Sequence, residues 1–387
     1  MTAELPYGHR LLIVQPYIPD YRVPFFRELR TALREVDVQL AVAAVGASGD
    51  QGLRADDVTA QEGDYRLHER SLSIGSRRVK YRRVGAAIRE FRPDLIVVEQ
   101  AVKNVEGWNL ILKSTMGIGP RIGMWGQGRS YSTQQSRVEA EAKQWLTRRS
   151  DWFFAYTHGG ADFVASHGFP KDRISVLQNS TDTRRLRRDL VTLSSLEITS
   201  FVQQHDLTPG RVGLFLGGVD EHKGIRFLLE AARECASRLP GFRLLVGGAG
   251  GLAPLVMSAQ EAGEPVVYLG RVAGKEKALA MTVADIMMIP EWVGLVAVDA
   301  LAAGLPILTT NCPSHSPESE YLSPGLTAVF TDHNPVEYAH QSVHLMERPE
   351  ELKRMSHECT SRSRDLTVEN MANRFSSGVR SWVGRRG

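Results

Sequence analysis

The chain has 387 residues, 42% of them hydrophobic and 24% charged, a soluble globular composition long enough for two domains of ordinary size. No apolar run approaches the roughly 20 residues of a membrane span, the start is too short and too acidic for a signal peptide, and Cys235, Cys312 and Cys359 lie too far apart for a disulfide framework or a zinc site, which suggests a reducing cytosol. The net charge of +3 is uneven: residues 1–188 carry 29 Lys/Arg against 21 Asp/Glu, and the remainder 18 against 23.

In the first half, apolar runs alternate with amphipathic ones. Strands are expected at Leu11–Gln15, Val38–Ala44, within 92–98, at Arg121–Trp125, Trp152–Tyr156 and Ile174–Leu177. Helices are expected at Phe25–Leu33, Val84–Phe91, Gly107–Thr115, Arg137–Arg149 and from Gly159 to Ser166. This order implies a parallel sheet covered on both faces, with ligand groups on the loops after strands. Those loops carry Asp20, Tyr21, Arg22, Gln127, Arg129 and His158, each equally at home as a turn or surface group; His158 also suits a cap on the Gly159 helix. The basic run Arg77-Arg78-Val79-Lys80-Tyr81-Arg82-Arg83 reads either as a solvated helix face or as an attraction for anionic headgroups, worth ~1 kcal/mol per residue near such a surface. Nucleic acid is disfavoured because no aromatic stacking platforms interleave with the run.

Residues 183–209 are read as a link plus the first surface helix of a second domain. The pattern then restarts: strand Val212–Leu216, a Gly217-Gly218 turn, Lys223-Gly224 and a helix from Ile225 to Ser237. A glycine turn between strand and helix lets backbone N–H groups approach a phosphate, and Lys223 adds charge. Strand Arg243–Val246 runs into Gly247-Gly-Ala-Gly-Gly251, whose spacing is not the dinucleotide fingerprint. Strand Val266–Leu269 is followed by Gly270-Arg271, and a helix at Glu276–Val283 leads to a buried strand in 284–289. Glu291 falls in the turn after that strand. Asp299 falls about two turns into the apolar helix between Gly294 and Gly304, where an unpaired carboxylate would cost several kcal/mol. It therefore needs a backbone donor, a basic neighbour or ligand hydroxyls. A strand from Pro306, a short strand Thr327–Phe330 and terminal helices complete the chain.

As an ordered set these blocks resemble the GT-B glycosyltransferases of retaining glycosyltransferase family 4 (glycosyl transferases group 1). The shared blocks are Leu216-Gly217-Gly218, Lys223-Gly224, Val246 to Gly251, Tyr268-Leu269-Gly270, Ala284-Asp285, Pro290, Glu291 to Asp299, Gly304-Leu305-Pro306 and Pro317-Glu318, with Asn179 and Asp182 ahead of them. The match covers most of residues 174–345; the first domain matches in architecture. The resemblance implies an α/β fold of two Rossmann-like doubly wound domains facing a cleft. Residues 1–185 would form the acceptor side, 186–370 the nucleotide-sugar domain, and 371–387 a helix returning to the first domain.

It also implies site roles. Lys223 and Glu291 would be catalytic, Lys223 on the donor diphosphate and Glu291 on the transferred sugar. Gly217, Gly218, Arg271, Gly294, Leu295 and Asp299 would bind the nucleotide sugar, the N–H of Gly217 and those after Gly294 meeting the diphosphate and Asp299 the ribose. Asp20, Arg22, Gln127 and His158 would face the acceptor. No metal and no cofactor are implied. The sequence departs from the family in three places. Gly218 stands where the family has an Arg, a vacancy for Arg271 or Arg22 to fill. Asp299 replaces Glu, and Gln127 stands where a His is frequent. The expected activity is glycosyl transfer from a nucleotide-diphosphate sugar to a hydroxyl acceptor, with retention, in polysaccharide or glycolipid assembly. An inactive binding protein or a sugar-nucleotide epimerase or phosphorylase of the same fold is the alternative. The expected location is cytoplasmic, or peripheral at the inner membrane face through Arg77, Arg78, Lys80, Arg82 and Arg83.

Overall fold

The computed structural model describes residues 8–74, 77–129 and 136–385. The chain divides into two units: Met1–Ser48, Asp56–Asn179 and Val368–Gly387 form the first, and Gly49–Ala55 with Ser180–Thr367 the second. The junction expected at 185/186 thus falls at 179/180. The Thr183–Val191 helix, capped by Asp182 Oδ1 accepting from the Arg185 N–H at 2.9 Å, buries Leu186 in the second unit's core. A further helix, Ser195–Gln204, follows it, opened by a capping box of Ser194 and Glu197, so the expected link holds two helices.

In the first unit, β1 (His9–Gln15), β2 (Val38–Ala44), β3 (Tyr65–Arg66), β6 (Leu95–Glu99), β7 (Arg121–Gly126), β8 (Trp152–Ala155) and β9 (Ile174–Val176) form a parallel sheet. A separate antiparallel hairpin pairs β4 (Glu69–Ile74) with β5 (Arg77–Arg82). The sheet order is β3-β2-β1-β6-β7-β8-β9, which reverses direction between β1 and β6. The Val23–Arg34 helix turns Phe25, Phe26, Leu29 and Leu33 inward at helical spacing. Facing it is the Val368–Gly384 helix, whose Phe375 stacks on Phe154 at 4.1 Å between ring centres and whose Ser376 Oγ donates to the Ala32 carbonyl at 2.8 Å. The last residues of the chain therefore complete the core of the first unit.

In the second unit, β10 (Val212–Leu216), β11 (Arg243–Gly247), β12 (Val266–Gly270), β13 (Ile286–Met288), β14 (Ile307–Thr310) and β15 (Ala328–Thr331) pair in parallel. Their order is β12-β11-β10-β13-β14-β15, so the reversal lies between β10 and β13. Strands buried on both faces read as unbroken apolar runs, which is why β10 and β13 were legible. Open sheets of this kind take ligands at the carboxyl ends of the strands flanking the reversal.

The basic run does not form a helix face; it is β5. Alternation puts Lys80 and Arg82 on the same face of that strand, and both reach Glu69, at 3.0 and 3.5 Å. Arg82 is buried and also lies 3.4 Å from Glu99 and 3.6 Å from Glu106. It is spent on those carboxylates and offers nothing to a membrane surface. Burial pushes the Glu106 carboxyl up despite Arg82. Arg83 is exposed, and the side chains of Arg77 and Arg78 lie outside the described residues. Among the described residues, no helix is long and apolar enough to cross a membrane.

Candidate active site

The loops after β10 and β13 meet at the reversal of the second sheet. After β10 the chain passes Gly217 and Gly218, makes a 3₁₀ turn at Glu221–Lys223, and enters the Ile225–Arg238 helix through Gly224 in the left-handed region (φ 67°). Gly224 has no room for a side chain: a Cβ there would lie 3.0 Å from Glu291 Oε1. After β13 the chain passes Pro290, Glu291 and Trp292 into the Val296–Ala303 helix. Trp292 is held at φ 48°, an uncommon conformation for a bulky residue, and such strain concentrates at functional sites. That conformation presents the Trp292 carbonyl to Lys223, whose Nζ donates to it at 2.7 Å. Lys223 is half-buried. Burial first, and the Arg54 guanidinium second, pull its pKa down to about 8, against the opposing pull of Asp220 and Glu318.

Buried His315 fixes the β13 loop from behind. Its Nδ1 accepts from the Val293 N–H at 3.1 Å and its Nε2 lies 2.8 Å from the Thr310 carbonyl, a pattern that requires the neutral ring with the proton on Nε2. Burial lowers its pKa and keeps it neutral. With the loop so held, the N–H groups of Gly294, Leu295 and Val296 have no acceptor among the described residues. They stand at the N-terminus of the Val296–Ala303 helix, a natural seat for an anion. Glu291 sits on the same turn, with Oε1 accepting from His333 Nε2 at 2.8 Å.

The structure thus gathers Lys223, Glu291, Gly294 and Leu295 around one turn, with Gly217 beside the Lys223 stem. The N–H of Gly217, expected to meet a diphosphate, instead donates to the Gly247 carbonyl at 3.0 Å. The two glycine turns after β10 and β11 are pressed together, and a Cβ on Gly248 would fall 1.8 Å from the Gly217 oxygen.

Asp299 lies in the first turn of its helix, because the helix begins at Val296. The carboxylate is buried, accepting from Lys277 Nζ at 2.6 Å and from Thr181 Oγ1 at 2.8 Å. A basic neighbour therefore accounts for its burial. Each oxygen keeps a lone pair, so a ribose contact stays chemically open. Arg271 is exposed on the bend after β12. Beside Gly218 stands another guanidinium: a Cβ there would lie 3.6 Å from Arg54 Nε, and Arg54 Nη2 reaches Asp220 Oδ2 at 3.4 Å. Neither Arg54 nor Lys277 carried a motif, and Thr181 was one hydroxyl among many.

In the first unit, Asp20 opens the 3₁₀ turn after β1, and its N–H donates to the Asp56 carbonyl at 2.8 Å. Arg22 is buried among aromatic rings. Its guanidinium carbon lies 5.2 Å from the Trp125 ring centre, 5.3 Å from Tyr21 and 6.0 Å from Tyr156, and Nη1 approaches Met371 Sδ at 3.8 Å. Gln127 follows β7 in a loop pinned by buried Gln100, whose amide bonds both the N–H and the carbonyl of Gly128. His158 is exposed at the start of its helix and does not cap it; Thr157 does, accepting from the Gly160 N–H at 3.3 Å. Asp20, Gln127 and His158 all follow strands at the carboxyl edge of the sheet.

Residues 210–348 match the family model described as Glycosyl transferases group 1. The phosphatidyl-myo-inositol mannosyltransferases of Mycobacterium tuberculosis and Mycolicibacterium smegmatis are 36% identical to the chain over 107 residues, 26% of this chain and 28% of each of them. The chain thus spans under a third of the length of the curated relatives it matches. Among solved structures, Anabaena HepE in complex with UDP superposes with a TM-score of 0.70 at 15% identity, over 96% of this chain and 99% of that one. A glycosyltransferase of Rickettsia africae gives a TM-score of 0.70 at 12% identity, over 98% and 99%. A candidate UDP-N-acetylglucosamine 2-epimerase of Listeria monocytogenes gives 0.61 at 14% identity, over 98% and 97%. At such identities the likeness establishes the fold. Residues 210–348 are thus similar to a glycosyl transferases group 1 domain, and the chain has the GT-B fold of two Rossmann-like units.

Proposed function

We propose that this protein transfers a glycosyl group from a nucleoside diphosphate sugar to a hydroxyl acceptor. The observation that carries the proposal is the convergence, at the reversal of the second sheet, of the Lys223 ammonium and three N–H groups, Gly294 to Val296, that have no acceptor among the described residues. In the reaction the bond between the anomeric carbon and the diphosphate oxygen breaks, and the electron pair stays on the diphosphate. The acceptor oxygen bonds to the anomeric carbon and its proton passes to the departing phosphate oxygen. The growing negative charge on the leaving group is the main thing to stabilise, and preorganised donors do so most effectively. Lys223 and the helix N-terminus take that role. Glu291, beside them, hydrogen-bonds the transferred sugar, and Asp299 uses its remaining lone pairs on the ribose.

The finer reading is transfer with retention onto a glycolipid or polysaccharide hydroxyl. It draws on the motif order and on the name of the mycobacterial relatives, which act on a phosphoinositide lipid. Asp20, Gln127 and His158 are the proposed acceptor-side groups, with Arg22 holding the aromatic floor beneath them. Incubation with UDP- and GDP-sugars and candidate acceptors, followed by NMR of the product, tests both levels: no transfer refutes the function, and an inverted anomer refutes retention. A second reading, epimerisation, is favoured by the fold likeness to the Listeria protein. Release of an epimerised sugar nucleotide without acceptor would select it.

A further inference from the structure

Gly218 offers no side chain where the resembled family pattern has an arginine, yet an arginine from a distant stretch stands beside it. The Gly49–Ala55 segment lies in sequence within the first unit but packs as part of the second, with Gly49–Arg54 in a 3₁₀ turn. Among the described residues Arg54 has a single ionic contact, Nη2 to Asp220 Oδ2 at 3.4 Å. Its Nε–H is buried and meets no acceptor among the described residues, 3.6 Å from where a Gly218 side chain would begin. A structural arginine–carboxylate pair is usually short and two-pronged. This one is long and single, and it leaves a donor unmade, which costs ~1–3 kcal/mol. Arg54 also stands close enough to Lys223 to disfavour its charge. Two cations thus address the same small space beside the glycine turn, with Asp220 and Glu318 as partial compensation. An anion carrying several acceptor oxygens would satisfy the orphan Nε–H and relieve the repulsion together, and a guanidinium fork suits a phosphate.

We propose that Arg54 is a diphosphate ligand, standing in from residues 49–55 for the cation absent at position 218 and sharing the diphosphate of a nucleoside diphosphate with Lys223. The inference rests on the donor site proposed above. Calorimetric titration of the full chain with UDP, GDP, UMP and GMP tests it, in the wild type, Arg54→Ala, Arg54→Lys and the double variant Arg54→Ala/Gly218→Arg. Arg54→Ala should weaken the preferred diphosphate about ten- to a hundredfold, as expected for one charged hydrogen bond, and the matching monophosphate far less. Arg54→Lys should fall between. The double variant should recover most of the affinity, because the carboxylate a Cβ at 218 would meet, Asp220 Oδ2 at 2.5 Å, is free to turn once Arg54 is gone. A diphosphate affinity unchanged in Arg54→Ala overturns the role of Arg54 and leaves the donor site standing. Equal losses for diphosphate and monophosphate without recovery also overturn it, by making Arg54 a prop for the Asp220 turn. A wild type that binds neither UDP nor GDP overturns the donor site and the inference together.

Discussion

Replacing Lys223 by Met should make the second unit more stable while disabling it. The fall in the Lys223 pKa from 10.5 to about 8 measures how strongly the folded state disfavours the ammonium. At about 1.4 kcal/mol per tenfold change in proton affinity this is ~3 kcal/mol. Partial exposure and the lost hydrogen bond to the Trp292 carbonyl reduce the expected gain at pH 7 to ~1–2 kcal/mol. For a unit of this size that raises its melting temperature by about 2–8 °C. The gain depends on pH with a definite sign. Between about pH 8 and 10.5 the unfolded lysine keeps its proton and the folded one loses it, so wild-type stability climbs with pH and the advantage of Met disappears. Scanning calorimetry at pH 7 and pH 10 measures both effects, and turnover should fall by about a hundredfold or more. A variant that melts no higher than wild type at pH 7, or whose advantage is the same at both pH values, refutes the destabilised ammonium.

Asp299→Ala strands Lys277 and should cost ~2–4 kcal/mol by urea unfolding; adding Lys277→Met should recover much of it. Nucleotide affinity should fall in both variants, and affinity unchanged by calorimetry would assign Asp299 to structure alone. Gly248→Ala should destabilise the second unit by at least ~3 kcal/mol, since its Cβ would be driven into the Gly217 oxygen 1.8 Å away; a loss under ~1 kcal/mol would mean the glycine turns yield easily. Arg82→Met leaves Glu69, Glu99 and Glu106 facing one another and should cost ~3–5 kcal/mol near pH 8. The Glu106 pKa, already raised, would rise further, and protonation would relieve the repulsion. The loss measured by urea unfolding should therefore shrink at pH 5, and a loss independent of pH would refute the carboxylate cluster.

The parallel strands were legible because strands buried on both faces are uniformly apolar, as in β1, β10 and β13. The hairpin β4–β5 was not, because its charged alternation suits a surface strand and a solvated helix equally until Glu69, Glu99 and Glu106 are placed around it. The placement of Lys223, Glu291 and Gly294 was readable since each follows a strand closely, where chain order fixes position. Lys277 and Thr181 approach Asp299 from elements 22 and 118 residues away, and Arg54 approaches Asp220 across 166 residues. No local pattern encodes such distances. The role expected of the Gly217 N–H failed for a related reason: its acceptor, Gly247, belongs to the neighbouring strand.

The Val368–Gly384 helix carries Phe375 and Trp382 into the core of the first unit. The order of synthesis therefore differs from the order of completion. A ribosome delivers nearly all of the rest of the first unit early, yet that unit lacks its closing hydrophobic wedge until residues 368–384 are made. The second unit, apart from residues 49–55, is contiguous and can close while the earlier segment is still waiting. Deleting the last twenty residues should thus cripple the half of the protein that was made first.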